Sequence, residues 1–285
     1  MKVLEKLNLE TYNSYHLTAY CAKAYFPQTE NDLIEIYGKQ PNVSKIILGN
    51  GNNIILAKKW YDEHFIIFNG NFDSIEVNGC EITAEAGATM LQMSEKALEH
   101  SLSGYEIFYD IPSSVGGAVV MNAGASGEEI KDLLLKVRYL DLSDLKIKEI
   151  TRDEIGFEYR NSLFQKHSDK VVMKAWFRLS QGDPIAIGAK MKEIKQKRWA
   201  KQPREYPNCG SVFKRPQGRF VGPMLDELGL KGFTVGGAKI SEKHSGFIVN
   251  TGNATGKDIL ELIKATQIKV KNKFDVELEV EQKII

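Results

Sequence analysis

Residues 104–125 read GYEIFYDIPSSVGGAVVMNAGA, and this is the most informative stretch of the chain. Glycine, proline and serine crowd a segment that is otherwise apolar, whereas surface loops are usually polar. A permissive backbone with small side chains lets main-chain N–H groups approach a bulky ligand, typically a phosphate group or a flat ring system. A second interpretation is a glycine-rich turn followed by a buried strand over Ala118–Met121, and the segment alone does not decide between the two.

A second glycine-rich loop favours the ligand interpretation. Ile46–Leu48 is typical of a short buried strand and runs directly into Gly49-Asn50-Gly51-Asn52-Asn53. Glycine and asparagine tolerate positive φ, so this run can form a nest of N–H groups for a pyrophosphate. It is not a Rossmann fingerprint, because Ile54 occupies the place of the third glycine, and no Gly-Lys-Ser/Thr follows as in a P-loop. Neither of the two commonest nucleotide-binding folds is therefore indicated.

Composition narrows the classes of protein. The 285 residues suffice for two or three domains, and 38 Lys and Arg against 37 Asp and Glu leave a net charge of +1. That balance argues against a general nucleic-acid binder. Cys21, Cys80 and Cys209 are isolated and the five histidines are scattered, so neither a metal site nor a disulfide framework is expected. Without a signal-like N-terminus or a membrane-length apolar run, we expect a soluble cytoplasmic protein that does not bind membranes.

Helix and strand patterns alternate along the chain. Capping residues and apolar periodicity predict helices from Thr29 to a stop at Gly38, over Thr89–His100, after Asp183-Pro184 and from Thr255. The predicted strands are Ile46–Leu48, Phe65–Phe68, Glu81–Ala86, Leu134–Leu140, Lys146–Thr151 and Val171–Leu179. The tail Val276–Ile285 alternates and predicts a half-buried strand whose acidic face carries Glu277, Glu279 and Glu281. The pattern is that of an α+β protein.

Three further motifs complete a family pattern: YRNSLF over 159–164, NCGSVFKRP over 208–216, and the glycine-rich segment Gly229–Asn250. Together with the two loops, this set resembles the UDP-N-acetylenolpyruvoylglucosamine reductase family, flavoenzymes of bacterial peptidoglycan precursor synthesis. The resemblance covers essentially the whole chain, in the family's order. The short segment between Phe164 and Gln202 leaves no room for an extra substrate-covering insertion, so the chain resembles the shorter class of the family.

The resemblance implies an α+β protein with an FAD-binding module of the vanillyl-alcohol-oxidase type. That module would comprise subdomains 1–70 and 71–182, and 183–285 would form a substrate-binding domain whose C-terminal strand returns to the active site. Bound FAD, NADPH as reductant, UDP-N-acetylglucosamine enolpyruvate as substrate and a monomeric state are implied. The residues assigned to FAD on this basis are Gly49, Asn50, Gly51, Asn52, Asn53, Ile111, Pro112, Ser114, Gly116, Gly117, Asn122, Ala123 and Gly124.

The resemblance also implies catalytic roles. Ser211, in Gly-Ser-Val-Phe-Lys, matches the family's proton donor to C2 of the substrate, and Arg160 matches the arginine at the substrate carboxylate. Glu281 matches the glutamate that assists the enolate intermediate, and Lys214 would meet a phosphate or carboxylate of the substrate. His244 is a further candidate near the substrate. Taken singly, the serine could belong to a glycine turn, the arginine to a surface ion pair and the glutamate to a solvated face.

The chain departs from the family pattern at several positions. Asn50 and Ser113 stand where the family usually has glycine, and Asn52 where it has serine. Because asparagine and serine tolerate positive φ less well than glycine, we expect weaker FAD binding. The segment Asn13–Tyr20 lacks the family's usual glycine, and Val280 and Lys283 replace a proline and an arginine. Two other functions stay open: a flavoprotein oxidase or dehydrogenase for another small substrate, and a non-catalytic protein that binds a UDP-sugar.

Overall fold

A computed structural model describes all 285 residues. The chain forms two compact units, which we call the first unit (Met1–Leu4, Lys23–Asn50 and Glu63–Lys197) and the second unit (Glu5–Ala22, Gly51–Asp62 and Arg198–Ile285). The predicted division at 70/71 and 182/183 stays a prediction. No helix combines the length and the apolar character that crossing a bilayer requires.

The regular structure comprises eighteen strands, seven α-helices and four short 3-10 helices. The strands are β1 (Lys2–Asn8), β2 (Tyr20–Phe26), β3 (Lys45–Leu48), β4 (Ile54–Ile55), β5 (Trp60–Ile67), β6 (Ile75–Asn78), β7 (Glu81–Glu85), β8 (Leu102–Ser103), β9 (Gly124–Ala125), β10 (Glu128–Glu129), β11 (Leu134–Asp141), β12 (Lys146–Thr151), β13 (Lys170–Arg178), β14 (Ser180–Gln181), β15 (Thr234–Val235), β16 (Ala238–Ile240), β17 (Ile248–Asn250) and β18 (Lys283–Ile284). The helices are α1 (Glu30–Lys39), α2 (Met90–Glu99), α3 (Val115–Met121), α4 (Leu163–Lys166), α5 (Pro184–Lys201), α6 (Val221–Glu227) and α7 (Gly256–Phe274).

The first unit is built on a five-stranded antiparallel sheet in the order β12-β11-β13-β7-β6. Apolar side chains of β7, β11 and β13 are buried together with those of α2 and α3 in one core. A second sheet has the order β1-β2-β5-β3, and in the first unit β3 and β5 run parallel, with Lys45 opposite His64 and Leu48 opposite Ile67. Because β3 ends at Leu48, the glycine loop starts at the carboxyl end of a parallel strand, where ligand sites commonly form in α/β proteins.

The second unit contains a three-stranded antiparallel sheet in the order β15-β16-β17, with α7 packed on β15 and β16. In the same unit β18 pairs in parallel with β4, Lys283 opposite Ile54 and Ile284 opposite Ile55. The C-terminal residues are therefore fixed by main-chain hydrogen bonds rather than left as a free tail.

Local capping chemistry explains why the predicted helices form where they do. The helices α1, α2 and α7 each start with a capping box, at Thr29, Thr89 and Thr255. The threonine side chain accepts the N–H of the residue three positions on, and the side chain of that residue accepts the main-chain N–H of the threonine. Asp183 accepts the N–H groups of Ile185 and Ala186 at 3.1 and 3.2 Å, with Pro184 at the first helical position. Gly38 does not end α1, since the helix continues through Lys39.

One of the two interpretations of the glycine-rich segment and one predicted strand are wrong. Ala118–Met121 is not a strand but part of α3, so the glycine-rich segment folds into a short helix. The tail is not one continuous strand: only Lys283–Ile284 is regular, with an isolated bridge between Phe213 and Val280. Its burial nevertheless alternates, with Leu278 and Gln282 buried and Glu277 and Glu279 exposed, while Glu281 is half-buried.

Candidate functional site

Two of the segments assigned to FAD lie against each other in the first unit. Gly49 follows β3, Ser114 caps α3, and a Cβ atom at position 49 would overlap the Ser114 Oγ. Ser114 is buried, and its Oγ accepts the N–H of Gly117 at 3.2 Å. A side chain at position 49 would therefore push the Ser114 hydroxyl away from the N-terminus of α3 that it caps.

The loop after β3 offers unsatisfied polar groups. The main-chain N–H groups of Gly49 and Asn50 donate to no backbone carbonyl. The Oδ1 of Asn50 is buried without a hydrogen-bond partner. Buried polar atoms normally have hydrogen-bond partners. Whether the oxygen or the NH₂ group of an amide faces a ligand depends on whether the ligand donates or accepts. Main-chain N–H groups and an amide next to a capped helix start suit a pyrophosphate, so these residues fit FAD.

The segment from Ile111 to Gly124 is held by long-range main-chain bonds. Val115 and Gly116, the first residues of α3, donate their N–H groups to the carbonyls of Ala88 and Ala86 at 2.7 and 2.9 Å. The helix ends at Asn122, which has φ +46°. These bonds fix the helix start, although its glycines and β-branched residues are poor helix formers.

Arg160 binds the other end of this segment within the first unit. Its two terminal nitrogens donate to the carbonyl oxygens of Asn122 and Gly124 at 3.1 and 2.8 Å. Ser162, also in the YRNSLF motif, donates from its Oγ to the carbonyl of Val120 at 2.7 Å and is fully buried. The YRNSLF motif therefore holds the predicted flavin segment in place. Arg160 has a role beyond that of an ion pair at the surface.

The remaining residues of the first loop belong to the second unit. Gly51 has φ +66°, and a Cβ there would overlap the Tyr12 carbonyl, so only glycine fits. Asn52 is hydrogen-bonded to the Ser14 hydroxyl, and the Asn53 Nδ2 donates to the carbonyl of Glu281 at 3.4 Å. Asn53 therefore links the loop to the C-terminal segment.

The two loops show no backbone strain at their departures from the family pattern, whereas His16, in the segment that lacks the family's usual glycine, has φ +53°. None of Asn50, Asn52 and Ser113 has a positive φ. The backbone argument for weaker FAD binding is therefore wrong, because the one position in this loop that needs a left-handed backbone has kept its glycine.

Main-chain pairing in the second unit brings three predicted catalytic and binding residues onto adjacent backbone segments. The N–H of Glu281 donates to the carbonyl of Val212 at 2.8 Å, and the N–H of Lys214 donates to that of Glu279 at 2.9 Å. Ser211 precedes this paired stretch and forms its own bridge with Phe247. Ser211 is exposed and Glu281 half-buried, so neither side chain is part of the core.

Lys214 and His244 also have defined partners in the second unit. The Lys214 Nζ lies 2.6 Å from the Glu279 Oε1, so a substrate anion would compete with this carboxylate. Burial lowers the pKa of the His244 imidazole, and its Nδ1 accepts the N–H of Gly246 at 3.1 Å. An accepting Nδ1 belongs to the neutral ring with the proton on Nε2.

The sequence interpretation missed two buried polar residues, Gln282, which reaches the Ser211 carbonyl, and its partner Tyr15. Gln282 is 3 % exposed and Tyr15 is fully buried, and the Tyr15 hydroxyl donates to the Gln282 Oε1 at 2.9 Å. One signal could have found Gln282: in the alternating tail it falls on the apolar face, in phase with Leu278 and Val280. A buried amide there needs partners.

Comparison with known proteins agrees with this geometry. Residues 22–151 match the model of an FAD-binding domain, and residues 202–285 match that of the UDP-N-acetylenolpyruvoylglucosamine reductase C-terminal domain. The UDP-N-acetylenolpyruvoylglucosamine reductase of Francisella tularensis is 39 % identical over 283 residues, with 99 % of each chain covered. The chain belongs to the UDP-N-acetylenolpyruvoylglucosamine reductase family.

Solved structures support the same family at the level of the fold. The crystal structure of the family member from Thermus caldophilus superposes with a TM-score of 0.85 at 30 % identity, covering 100 % of this chain and 99 % of that one. A solvent-stable cholesterol oxidase shares the fold alone, with a TM-score of 0.50 and 12 % identity over 63 % of this chain and 38 % of the oxidase. The α+β fold class with an FAD-binding module is confirmed.

Proposed function

We propose that the protein reduces UDP-N-acetylglucosamine enolpyruvate to UDP-N-acetylmuramate with NADPH and bound FAD, in peptidoglycan precursor synthesis. The observation that carries the proposal is family membership over the whole chain, including the reductase C-terminal domain at residues 202–285. The net reaction adds a hydride to C3 and a proton to C2 of the vinyl ether. It oxidises NADPH to NADP⁺ and leaves a lactyl ether.

FAD, when bound and reduced, supplies the hydride for C3. We propose that the FAD diphosphate is held by the loop Gly49–Asn53 and by the start of α3 at Ser114, Gly116 and Gly117. The N–H groups of Gly49 and Asn50, which donate to no backbone carbonyl, support this assignment, as does the unpartnered Asn50 amide, whose NH₂ group would face the diphosphate. The remaining contacts to FAD would come from Ile111, Pro112 and Asn122–Gly124. Arg160 keeps Asn122–Gly124 in place through its bonds to the Asn122 and Gly124 carbonyls.

Ser211 is the proposed proton donor to C2. A serine hydroxyl is a weak acid, but the enolate that forms once hydride reaches C3 is a strong base. Gly210 precedes Ser211 at φ +76°, and Ser211 is exposed, which leaves its hydroxyl accessible to a ligand. The alkoxide left on Ser211 regains its proton from solvent, to which the residue is exposed.

Arg160 and Glu281 are proposed to handle the charge that develops on the substrate. The fixed positive charge of Arg160 would stabilise the enolate at the carboxylate end. Glu281 would assist the same intermediate, and Lys214 would bind a phosphate or carboxylate of the substrate in exchange for Glu279.

We further propose a cytoplasmic monomer with subdomains 1–70 and 71–182 and a substrate domain 183–285. The matched FAD-binding range ends at 151 and the matched reductase domain starts at 202, which is compatible with a boundary near 183.

The decisive experiment follows flavin absorbance under anaerobic conditions. The purified protein should be yellow, lose its absorbance on NADPH addition and recover it when UDP-N-acetylglucosamine enolpyruvate is added. UDP-N-acetylglucosamine, which lacks the vinyl ether, is the matched control and should restore nothing. Reduction by NADPH without recovery would point to another flavoprotein activity, and protein that takes up no FAD would point to a UDP-sugar-binding protein.

A further inference from the structure

The buried amide of Gln282 caps the turn that leads into Ser211. Its Nε2 lies 3.0 Å from the carbonyl oxygen of Cys209, 3.4 Å from that of Gly210 and 3.4 Å from that of Ser211. Gln282 directly follows Glu281, whose own N–H is bonded to Val212. One side chain therefore connects the C-terminal segment to the backbone of the proposed proton donor.

The hydroxyl of Tyr15 sets the orientation of this amide. Only the NH₂ end of Gln282 can face three carbonyl oxygens, so its Oε1 must face Tyr15, whose hydroxyl donates at 2.9 Å. Burial raises the pKa of the Tyr15 phenol well above its usual range, so the hydroxyl keeps its proton at working pH. Without this donor, the Oε1 would be buried and unsatisfied, and the amide would lose the group that fixes its orientation.

Tyr15 is itself fixed by the side-chain amide of Asn250. Its carbonyl oxygen accepts the Nδ2 of Asn250 at 2.8 Å, and the Asn250 Oδ1 accepts the N–H groups of Gly252 and Ala254 at 2.8 and 2.9 Å. The chain of bonds from Asn250 through Tyr15 to Gln282 has no solvent-exposed member, since all three residues are at least nine-tenths buried. Such a fully satisfied buried network is rigid.

We propose that Tyr15 and Gln282 are positioning residues that set the placement of Ser211 for proton delivery. The proposal rests on the proposed function, because it takes Ser211 to be the proton donor. Gln282 holds the carbonyl groups of residues 209–211 in place. This fixes the backbone orientation at Ser211 and therefore the position from which its side chain extends. A misplacement of about 1 Å in a reacting group can cost about 100-fold in rate, so a remote hydroxyl can control this step.

Tyr15→Phe tests the proposal, and Tyr61→Phe is its matched control. Tyr61 is also fully buried, and its hydroxyl donates to the carbonyl of Ile285 at 2.7 Å, at the far end of the same C-terminal segment. Both variants keep the ring and remove one hydroxyl from the same unit. Only Tyr15→Phe removes the partner of Gln282.

The first measurement is amide hydrogen exchange in the protein without substrate. Tyr15→Phe should speed exchange at Val212, Lys214 and Glu281 by about tenfold, the factor expected when one buried hydrogen bond is lost. Tyr61→Phe should leave these three amides at the wild-type rate. Equal exchange in Tyr15→Phe and wild type would overturn the proposal, and this comparison holds whether or not the protein reduces the proposed substrate.

The second measurement separates the two half-reactions by stopped flow. In Tyr15→Phe, flavin reoxidation at saturating enolpyruvyl substrate should slow by about tenfold or more. The half-saturating substrate concentration and the rate of flavin reduction by NADPH should stay within about twofold of wild type, because neither depends on the Ser211 proton. Both half-reactions slowed in equal proportion would indicate a general structural role and overturn the proposal. Wild-type flavin that the substrate does not reoxidise would instead refute the proposed function.

A double variant tests whether Tyr15 and Gln282 act on Ser211 through the same interaction. Gln282→Leu removes the amide altogether, so adding Tyr15→Phe to it should slow reoxidation no further. Additive losses in the double variant would show independent roles and count against the proposal.

Discussion

The main-chain N–H of Glu281 donates to the carbonyl oxygen of Val212 at 2.8 Å. This bond places the C-terminal segment beside the segment that carries Ser211, although the two are far apart in sequence. The register sets Glu281 opposite Val212 and Glu279 opposite Lys214, and the Lys214–Glu279 ion pair agrees with it. Regular pairing stops at Val212, whose own N–H turns to the carbonyl of Gly246.

Ser211→Ala should affect only one half-reaction. Flavin reduction by NADPH needs no proton at C2, so its rate should stay near wild type. Reoxidation by the enolpyruvyl substrate should slow by roughly 100- to 10,000-fold, the usual contribution of a positioned acid. Stopped-flow absorbance separates the two phases, and equal slowing of both would make Ser211 a structural residue.

Lys214 and Glu279 should have opposite effects on substrate binding. Glu279 is exposed and holds the Lys214 Nζ at 2.6 Å, so Glu279→Gln releases a cation that a substrate phosphate or carboxylate can use. We expect the KM for the enolpyruvyl substrate to fall in Glu279→Gln and to rise in Lys214→Ala. The fall should be only about two- to fivefold, since breaking an exposed ion pair changes the free energy little. A KM unchanged in both variants would remove Lys214 from the site.

Arg160→Lys should weaken FAD retention. Lysine keeps the charge but lacks the planar fork that reaches both the Asn122 and Gly124 carbonyls. We expect the dissociation constant for FAD to rise about tenfold, measured by flavin fluorescence on dilution. Arg178→Lys is the control, because Arg178 forms only an exposed ion pair with Glu81.

Full flavin retention in Arg160→Lys, combined with slow reoxidation, would show that Arg160 acts on the substrate and does not hold the flavin segment.

The three thiols should differ sharply in reactivity. Burial raises the pKa of Cys21 to about 11 and that of Cys209 to about 12, so at pH 8 both remain protonated and shielded. Cys80 is half-buried and should react with a chromogenic disulfide in the native protein. We expect one fast thiol, lost in Cys80→Ala, and two more only after denaturation. Rapid native labelling of Cys209 would contradict the packing around Gly51.

Local signals in the sequence were sufficient for four of the seven α-helices (α1, α2, α5 and α7) and for the strands β7, β11, β12 and β13. The capping boxes at Thr29, Thr89 and Thr255 act between residues three apart, so they are visible without the tertiary structure. The helix α3 was not predictable in the same way. Its Val-Gly-Gly-Ala-Val-Val run favours a strand or a turn, and the bonds from Val115 and Gly116 to Ala88 and Ala86 form only in the fold.

The candidate site was predictable only in part. The family motifs point to Ser211, Arg160 and Glu281, but their roles stay predictions. No sequence pattern distinguishes the buried Tyr15 from an ordinary core aromatic residue, because its partner Gln282 lies at the other end of the chain. The contact of Arg160 with Asn122 and Gly124 is likewise a tertiary fact.

Glu281→Gln decides whether the acidic tail is a solvated face or part of the site. Glu281 is half-buried, whereas Glu277 is exposed and pairs with Lys271 at 3.3 Å. Glu277→Gln is therefore the matched control, while Glu279→Gln is unsuitable because it also frees Lys214. We expect Glu281→Gln to slow flavin reoxidation by about 100-fold or more, with flavin content and reduction by NADPH unchanged. Glu277→Gln should be silent, within about 0.5 kcal/mol in the free energy of unfolding. Equal and small effects of the two variants on reoxidation would return Glu281 to the solvated face and leave Ser211 and Arg160 as the proposed catalytic pair.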